Sequence, residues 1–477
     1  MVTGAKMVGR IELNGKRVLV IGLARTGVAT AMFCAARGAV VTATDMRSGD
    51  ELGEAAEKLR DAGVRLEFGG CAPNILRGQE LVVPSPGVPA DVPLLQEARA
   101  LGLKIWSEVE LASHFLNGQL IGITGSNGKT TTTSLVEHIL HVAEFSTVLA
   151  GNIGTPLIAR ASETTDRTIT VAELSSFQLE LIDHFEPRVA VFLNLTPDHL
   201  DRHKTLAAYG AAKARIFENQ NAEDFAVLNA DDSASTAYLP SRPQVFCFSR
   251  KRNVEQGAFV RGEKIIFRRD GSEEEILDAK EIPLPGAHNL ENVLAAVVAT
   301  RLAGAQPSQI AAGIRSFAGV EHRIEFVAEI QSVRYYNDSK ATNVDATLKA
   351  LDSFPGRVLV ILGGQDKNSD YTQLRLALHE KAILALLIGA AAEKIERQIA
   401  GSVAIERAGT LEAAVDRAYH AAHPEDIVLL APACASFDQF QNYEHRGRVF
   451  KELVHHLEKR EESRSNGNPV NAGKRNA

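Results

Sequence analysis

No apolar run in this chain approaches the roughly 18 residues that a membrane-crossing helix needs. The longest, Ala382 to Ala392, has 11 residues and reads as a buried strand with its flanks. Cysteine is scarce: Cys34, Cys71, Cys247 and Cys434 lie far apart. That spacing suggests neither a disulfide framework nor a zinc site, and it fits a reducing compartment. A signal-peptide pattern is missing too, because Asn14-Gly15-Lys16-Arg17 precedes the first apolar run and Arg25 follows it closely. Nor is positive charge in excess. With 52 Lys and Arg against 59 Asp and Glu, the formal net charge is −7. This argues against general nucleic-acid or membrane-surface binding. A cytoplasmic protein with no nucleic-acid partner and no membrane insertion is expected. Any anionic substrate then requires local clusters of Lys and Arg.

At 477 residues, 45% hydrophobic and 23% charged, the chain has the composition of a globular protein and the length of two to four domains. Short β-branched runs alternate with Ala/Leu-rich helical stretches, which predicts an α/β fold with largely parallel sheets. The pattern restarts twice, giving expected domains at 1–107, 108–319 and 320–460. The first opens with Val18-Leu19-Val20-Ile21-Gly22. The second includes a polar, strand-like insertion over roughly 240–282, whose Arg/Glu/Gly content predicts exposed hairpins. The third carries the apolar runs Val358–Gly364, Ala385–Gly389 and Ile427–Pro432. Residues 461–477 are polar and Gly/Asn-rich and are expected to form a disordered tail.

The most informative stretch is Gly125-Ser126-Asn127-Gly128-Lys129-Thr130-Thr131, followed by Thr132. It follows the apolar run Leu120–Ile123 and opens a segment with helical apolar spacing at Leu135, Val136, Ile139 and Leu140. Strand, Gly-rich turn, Lys-Thr and helix together make a nucleoside-triphosphate cradle. Small residues let backbone N–H groups wrap the phosphates, and the helix N-terminus adds positive potential. Lys129 then reaches the outer phosphates and the Thr130 hydroxyl serves Mg²⁺. Ile123 stands where the usual loop has its first Gly. The plainer alternative is an ordinary strand-to-helix turn with an exposed lysine.

Other candidates also follow apolar strands. Gly22-Leu23-Ala24-Arg25-Thr26-Gly27, with Asp45 ending the next strand, is similar to a dinucleotide fingerprint with Ala24 in place of its second glycine. Glu173 ends a strand-like run, where a carboxylate can hold Mg²⁺ or simply start a helix. Asn194 to His203 contains His199 beside carboxylates, which suits metal or phosphate work or an ordinary surface histidine. Lys213 reads from its own surroundings as a solvated helix lysine. Asn292 closes a segment preceding an Ala-rich helix, where it faces adenine or belongs to a helix cap. Arg323 is a phosphate clamp or part of a linker charge cluster. Asn337 to Asn343 is a ligand loop or a helix N-cap. Gly363 to Lys367 and Pro432 to Asp438 would converge on the same sheet edge. Cys434 reads as a small buried residue.

Taken in order, these residues resemble the Mur ligases of peptidoglycan synthesis. The resemblance rests on Gly-Ser-Asn-Gly-Lys-Thr, Gly151-Asn152-Ile153-Gly154, Glu-Leu-Ser-Ser-Phe-Gln, Asp-His-Leu-Asp-Arg, Glu-His-Arg, Asn-Asp-Ser-Lys-Ala-Thr-Asn and Ala-Cys-Ala-Ser-Phe-Asp-Gln-Phe. It runs from about Val18 to Arg448 and is closest to the member that adds D-glutamate. It implies three domains: a Rossmann-like UDP-substrate domain, a central ATPase domain and a Rossmann-like amino-acid domain. It implies UDP-N-acetylmuramoyl-L-alanine, D-glutamate and ATP as substrates, with two Mg²⁺ ions and a monomeric enzyme. Carried over by position, Gly125 to Thr132, Asn292, Arg323 and Asp338 would serve ATP. Glu173, His199, Thr130 and a CO₂-derived carbamate on Lys213 would serve metal. Arg25, Thr26, Asp45, Met46, Arg47, Gly87, Asn152 and His199 would hold the UDP substrate. Lys340, Thr342, Lys367, Ser436 and Tyr443 would hold D-glutamate. Ala24, Met46 and Tyr443 depart from relatives that can carry Gly, Thr and Phe there. A folylpolyglutamate-type or sibling Mur ligase, an NAD-dependent oxidoreductase and a non-catalytic binding protein are the rival readings.

Overall fold

Residues 11–69 and 73–466 are described by the computed structural model. Its internal contacts divide the chain into two compact units, Met1–Ile282 with Leu290–Phe317, and Pro283–Asn289 with Ala318–Ala477. No helix among the described residues is long and apolar enough to cross a membrane.

The first unit contains two sheets. Val18, Leu19 and Val20 are fully buried, so their strand is covered on both faces, as the run of apolar residues requires. It lies at the centre of a five-stranded parallel sheet ordered Arg65–Phe68, Val40–Asp45, Arg17–Ile21, Leu81–Pro84 and Lys104–Ile105. The second sheet has nine strands. Its order is Ser272–Asp278, Lys264–Arg269, Gly257–Arg261, Gln244–Ser249, Phe225–Asn229, Val189–Phe192, Gln119–Thr124, Thr168–Glu173 and Ser146–Gly151. The last seven of these run parallel, and two antiparallel strands complete the other edge. Gln119–Thr124 lies between the strands ending at Glu173 and Phe192, with Ile123 opposite Glu173 and Thr124 opposite Phe192. Chain direction across the sheet reverses there, so three strand ends open one crevice.

The 240–282 insertion does form two antiparallel hairpins, from Gly257–Arg261 through Lys264–Arg269 to Ser272–Asp278, but they are not wholly exposed. Its strands extend the central sheet, and Phe246, Phe248, Phe259, Ile265 and Phe267 are buried. The apolar residues cluster in short buried runs while the charged residues gather at the strand ends and along Ser272–Asp278, a division that composition alone hides. Gly257 makes the junction possible: it has φ +123°, and a Cβ there would lie 1.8 Å from the Cys247 carbonyl oxygen.

The second unit holds a six-stranded sheet ordered Glu325–Ile330, Val333–Asn337, Ile427–Leu430, Val358–Gly363, Ala382–Ile388 and Ala404–Gly409. Only its first strand is antiparallel. Asn337 pairs with Leu430, and Ile361 pairs with Leu430 from the other side. The loops after all three strands therefore emerge together. The final helix, Tyr443–Asn466, runs six residues into the segment expected to be a disordered tail. The rest of that segment lies outside the described residues, as does Cys71.

A buried carboxylate fastens the two sheets of the first unit. Trp106 and Ser107 leave the five-stranded sheet, and the helix Glu108–Ser113 follows. Glu110 in that helix accepts the N–H groups of Asp183 (2.8 Å), His184 (3.0 Å) and Phe185 (2.9 Å), and His114 Nε2 lies at 3.1 Å. Trp106 Nε1 donates to Asp183 (3.2 Å), and its ring stacks on His114. Burial pushes the Glu110 carboxyl up, but His114 and the Asp183 and His184 N–H groups outweigh it and hold it below the ordinary carboxylate value. Glu110→Ala leaves buried donors unsatisfied and should cost at least about 3 kcal/mol in urea unfolding at pH 7. Because the folded pKa is depressed, this contribution is complete above the unfolded carboxylate's pKa and fades as pH falls through the lower folded value. A wild-type-to-mutant gap that stays the same from pH 7 to pH 3 would contradict this origin.

Candidate functional site

The turn after Gln119–Thr124 is built on backbone that side chains rarely tolerate. Gly125 has φ +154° and Gly128 has φ +83°. A Cβ on Gly128 would lie 2.2 Å from Asn292 Oδ1. Asn292 in turn accepts from the Thr132 hydroxyl at 3.2 Å. The helix Ala287–Leu302 begins earlier than the sequence reading placed it, so Asn292 sits inside its second turn rather than before it. The turn is laced to the loop after Val189–Phe192. Asn127 N–H donates to Asn194 Oδ1 (2.9 Å), Ser126 Oγ to the Thr196 carbonyl (2.9 Å), and Asn127 Nδ2 to Thr196 Oγ1 (3.1 Å). Asn194 and Thr196 were visible in the sequence only as part of a loop; their role in shaping the turn needed the fold.

Two lysines meet over this turn. Lys129 Nζ donates to the carbonyls of Gly125 and Ser126, both at 2.8 Å. Lys213 Nζ donates to the same Gly125 carbonyl at 2.8 Å and lies 4.5 Å from the Tyr209 ring centre. Its helix, Leu206–Ala214, is capped by the Thr205 hydroxyl, and the lysine faces inward with Tyr209 and Gly210. Lys213 is thus buried, not the solvated helix lysine that its immediate surroundings suggest. Burial holds its ammonium pKa well below the usual lysine value, the Lys129 charge lowers it further, and Asp198 and Glu173 oppose both.

Glu173 ends its strand and does not start a helix; Ser175 caps the short helix beyond it. Its Oε1 accepts from Asn152 Nδ2 at 2.7 Å, which ties in the Gly151–Gly154 loop. Its Oε2 is buried and has no hydrogen-bond partner among the described residues. An orphaned carboxylate oxygen costs free energy, and a cation is the partner that removes the cost. Glu173 and the Thr130 hydroxyl are hard oxygen donors suited to Mg²⁺. His199, in a left-handed conformation at φ +51°, packs edge-on against Phe177 at 5.0 Å. A second group with metal-ligand character, Glu110, His114 and His184, has its ligand atoms within 4.8 Å of one another. Both oxygens of Glu110 already accept backbone N–H groups, so its chemistry is structural.

In the five-stranded sheet, Asp45 closes the first turn. Its carboxylate accepts Leu23 N–H (2.6 Å), Arg47 N–H (2.9 Å) and the Arg47 guanidinium (2.9 and 3.0 Å). The Arg47 side chain, aided by the Leu23 and Arg47 N–H groups, keeps the carboxyl far below its usual range despite partial burial. Ala24 caps the Arg25–Ala36 helix without a side-chain hydrogen bond, so the first N–H groups of the helix lack a side-chain cap. Arg25 and Met46 lie on the surface beside this turn, Met46 at 79% exposure. Thr26 is half-buried, and its carbonyl accepts from the Thr30 hydroxyl at 2.9 Å. Gly87 is exposed at the neighbouring strand end, where Ser85 Oγ donates to the Gly22 carbonyl at 2.7 Å.

The second unit collects the remaining candidates at its own sheet edge. Asp338 is buried, and its carboxyl is pushed up to about 7 by that burial, against the pull of Arg323 and Lys340. Lys340 Nζ lies 5.4 Å from the Tyr443 ring centre. Thr342 N–H turns back to the Lys340 carbonyl (2.8 Å), and Asn343 caps the next helix, so the helix-cap reading of this loop also holds. Ser436 is buried, Lys367 exposed and Phe437 68% exposed. Gln365 and Ala435 exchange backbone hydrogen bonds at 2.9 and 3.1 Å, pairing the two loops that carry Lys367 and Ser436. Cys434 is buried as expected, with its thiol pushed up to about 11 by burial. Sequence reasoning missed Arg446. It is fully buried and donates to Ser339 Oγ (3.0 Å) and to the carbonyls of Ser339 (2.8 Å), Cys434 (3.2 Å) and Ala435 (3.4 Å). A lone arginine on a charged helix gives no sequence signal for this.

Comparison with known proteins places this geometry. Residues 16–107 match the model of the Mur ligase MurD-like N-terminal domain, 123–300 the Mur ligase middle domain, and 322–434 the Mur ligase glutamate ligase domain. A UDP-N-acetylmuramoylalanine--D-glutamate ligase of Acidobacterium capsulatum is 53% identical over 93% of this chain and 97% of its own length. Its namesake in Koribacter versatilis is 51% identical over 94% and 100%. Among solved structures, MurF ligase from Thermotoga maritima in complex with ADP has a TM-score of 0.58 at 16% identity, covering 94% of this chain and all of that one. A pseudomurein peptide ligase type C from Methanothermus fervidus has a TM-score of 0.57 at 18% identity, covering 93% and 100%. These structures share the fold; the sequence relatives and three ordered domain models carry the assignment, and the chain belongs to the Mur ligase family.

Proposed function

We infer that this protein is an ATP-dependent ligase that joins D-glutamate to UDP-N-acetylmuramoyl-L-alanine in peptidoglycan synthesis. The observation that carries the reading is the identity of about half of all residues, over nearly the whole chain, to ligases of that name. The ATP γ-phosphoryl group passes to the substrate carboxylate, giving an acyl phosphate and ADP. The D-glutamate amine attacks the acyl carbon, loses a proton, and expels phosphate. Phosphoryl transfer of this kind needs in-line positioning and charge neutralisation more than covalent help.

The residues divide that work. The N–H groups around Ser126 to Thr132 cradle the triphosphate, and Lys129 swings from the loop carbonyls to its outer phosphates. Asn292, Arg323 and Asp338 hold the rest of ATP. Thr130, Glu173 and His199 would hold Mg²⁺, which when bound would supply the positive charge that lets two anions approach. Asp45, Arg47, Arg25, Thr26, Met46 and Gly87 hold the uridine diphosphate end, with Asn152 and His199 toward the reacting end. Lys340, Thr342, Lys367, Ser436 and Tyr443 receive D-glutamate. Support for two separate cationic sites comes from the placement of these residues at strand ends of different sheets. For Lys213, burial beside Lys129 favours the neutral amine, the form that adds CO₂ and releases a proton to become an anionic carbamate. That oxygen donor suits a second hard metal ion, as an ammonium does not.

The activity is tested by phosphate release with ATP, UDP-N-acetylmuramoyl-L-alanine and a panel of D- and L-amino acids. Release should require D-glutamate, and release with other amino acids alone would reject the reading. Lys213→Ala should lose most turnover, and acetate should restore part of it by occupying the vacated ligand position. Carbon-13 NMR under labelled bicarbonate should show a carbamate carbon in the wild type that the variant lacks. Its absence from fully active enzyme would remove the carbamate and leave the ligase reading intact. Asp45→Ala should raise the KM for the UDP substrate tenfold or more, from losing about 1.5–3 kcal/mol of charged hydrogen bonding. The KM for ATP should stay near that of the wild type; equal rises in both would contradict separate sites.

A further inference from the structure

A chain of polar contacts crosses between the two sheets of the first unit, away from the Glu110 fastening. Its centre is Arg202, one turn beyond His199 in the helix Leu200–His203. One guanidinium nitrogen donates to the Pro86 carbonyl at 2.8 Å, beside Gly87 at a strand end of the five-stranded sheet. The other donates to Glu180 Oε2 at 2.6 Å, at the end of the helix that follows Glu173. Its guanidinium carbon lies over the Phe177 ring, 4.1 Å from the ring centre. Glu180 faces His203 Nδ1 at 3.4 Å, and His203 Nε2 lies 2.9 Å from Ser176 Oγ. Burial lowers the His203 pKa, Glu180 opposes that, and Arg202 adds to the lowering. On the other side, Ser85, next to Pro86, is bonded to the Gly22 carbonyl of the nucleotide-type turn. The path therefore runs from the first turn of one sheet to the Glu173 and His199 loops of the other.

We propose that Arg202 is a positioning residue for the UDP-linked substrate, holding the Pro86–Gly87 turn in register with the His199 loop. The inference rests on the reading that Gly87 and the Gly22 turn serve the uridine diphosphate end while Asn152 and His199 serve the reacting end. A substrate that engages both ends gains from having them at a fixed separation. Each end binds at the effective concentration set by the other, and slack between the ends lowers that concentration. Arginine suits the task because its planar fork donates to a carbonyl and a carboxylate in fixed directions while stacking on an aromatic face; lysine cannot do all three. Loss of Arg202 should therefore harm the linked substrate and spare its fragments.

The test compares wild type, Arg202→Ala and Arg202→Lys for the KM of UDP-N-acetylmuramoyl-L-alanine, the KM of ATP, and the affinity of UDP alone by calorimetry. Arg202→Ala should raise the KM of the linked substrate about tenfold or more, while ATP and UDP alone stay within about twofold of wild type. Arg202→Lys, which keeps the charge and not the fork, should fall between the two and supplies the comparison if the alanine variant does not fold. An unchanged KM for the linked substrate, or an equal loss of affinity for UDP alone, would overturn the role of Arg202. Failure of the wild type to bind UDP would instead overturn the reading of the first sheet, and the inference with it.

Discussion

One carbonyl oxygen organises the central site. Gly125 O receives both Lys129 and Lys213 at 2.8 Å. Two ammonium groups so close repel each other, and burial removes the water that would screen them. The pair therefore has a built-in preference for shedding one positive charge. Lys129 keeps contact with the loop; Lys213, the more deeply buried, is the one whose proton is weakly held. The turn that presents this carbonyl depends on Gly125, where a Cβ would lie 2.9 Å from the Leu193 Cβ. A backbone torsion, two lysines from different helices and a neighbouring strand thus form a single constraint.

The second unit solves a related problem differently. Arg446 is a buried cation held by the Ser339 hydroxyl and three backbone carbonyls, and burial lowers its pKa to about 10. Its donors tie the loop carrying Lys340 to the loop carrying Ser436. Gly364, at φ +135°, brings the third loop close enough that a Cβ would lie 2.3 Å from the Ala435 carbonyl oxygen. A guanidinium thus fixes the loops that carry Lys340, Lys367 and Ser436. In both units the strand ends supply the position and a buried cation supplies the rigidity.

Much of this was legible one residue at a time. The Gly-Ser-Asn-Gly-Lys-Thr turn, Glu173 at a strand end, Asp45 at the next strand end and the buried character of Cys434 follow from local pattern, because glycine torsions and strand periodicity are local properties. Lys213 was not legible that way: its helix is Ala-rich on several faces, and only packing against Tyr209 and the Gly125 turn buries it. The 240–282 strands misled for the opposite reason. Their charge is real, yet Phe246, Phe248, Phe259, Ile265 and Phe267 are buried once the strands join the central sheet. The contacts of Asn194 and Thr196 with the Gly125 turn, of Arg202 with Pro86 and of Arg446 with Ser339 follow from no local pattern, since these partners lie 67 to 116 residues away.

The sequence by itself determined the kind of elements, their order, and the chemistry offered at each strand end, because these depend on neighbours within a few residues. It also determined family membership, through many such local signals in a fixed order. Tertiary structure alone decided which strand ends meet, which lysine loses its water, and which side chains clamp loops without touching a ligand. Those outcomes depend on burial and on hydrogen bonds closed over long loops, and neither quantity exists until the sheets have formed.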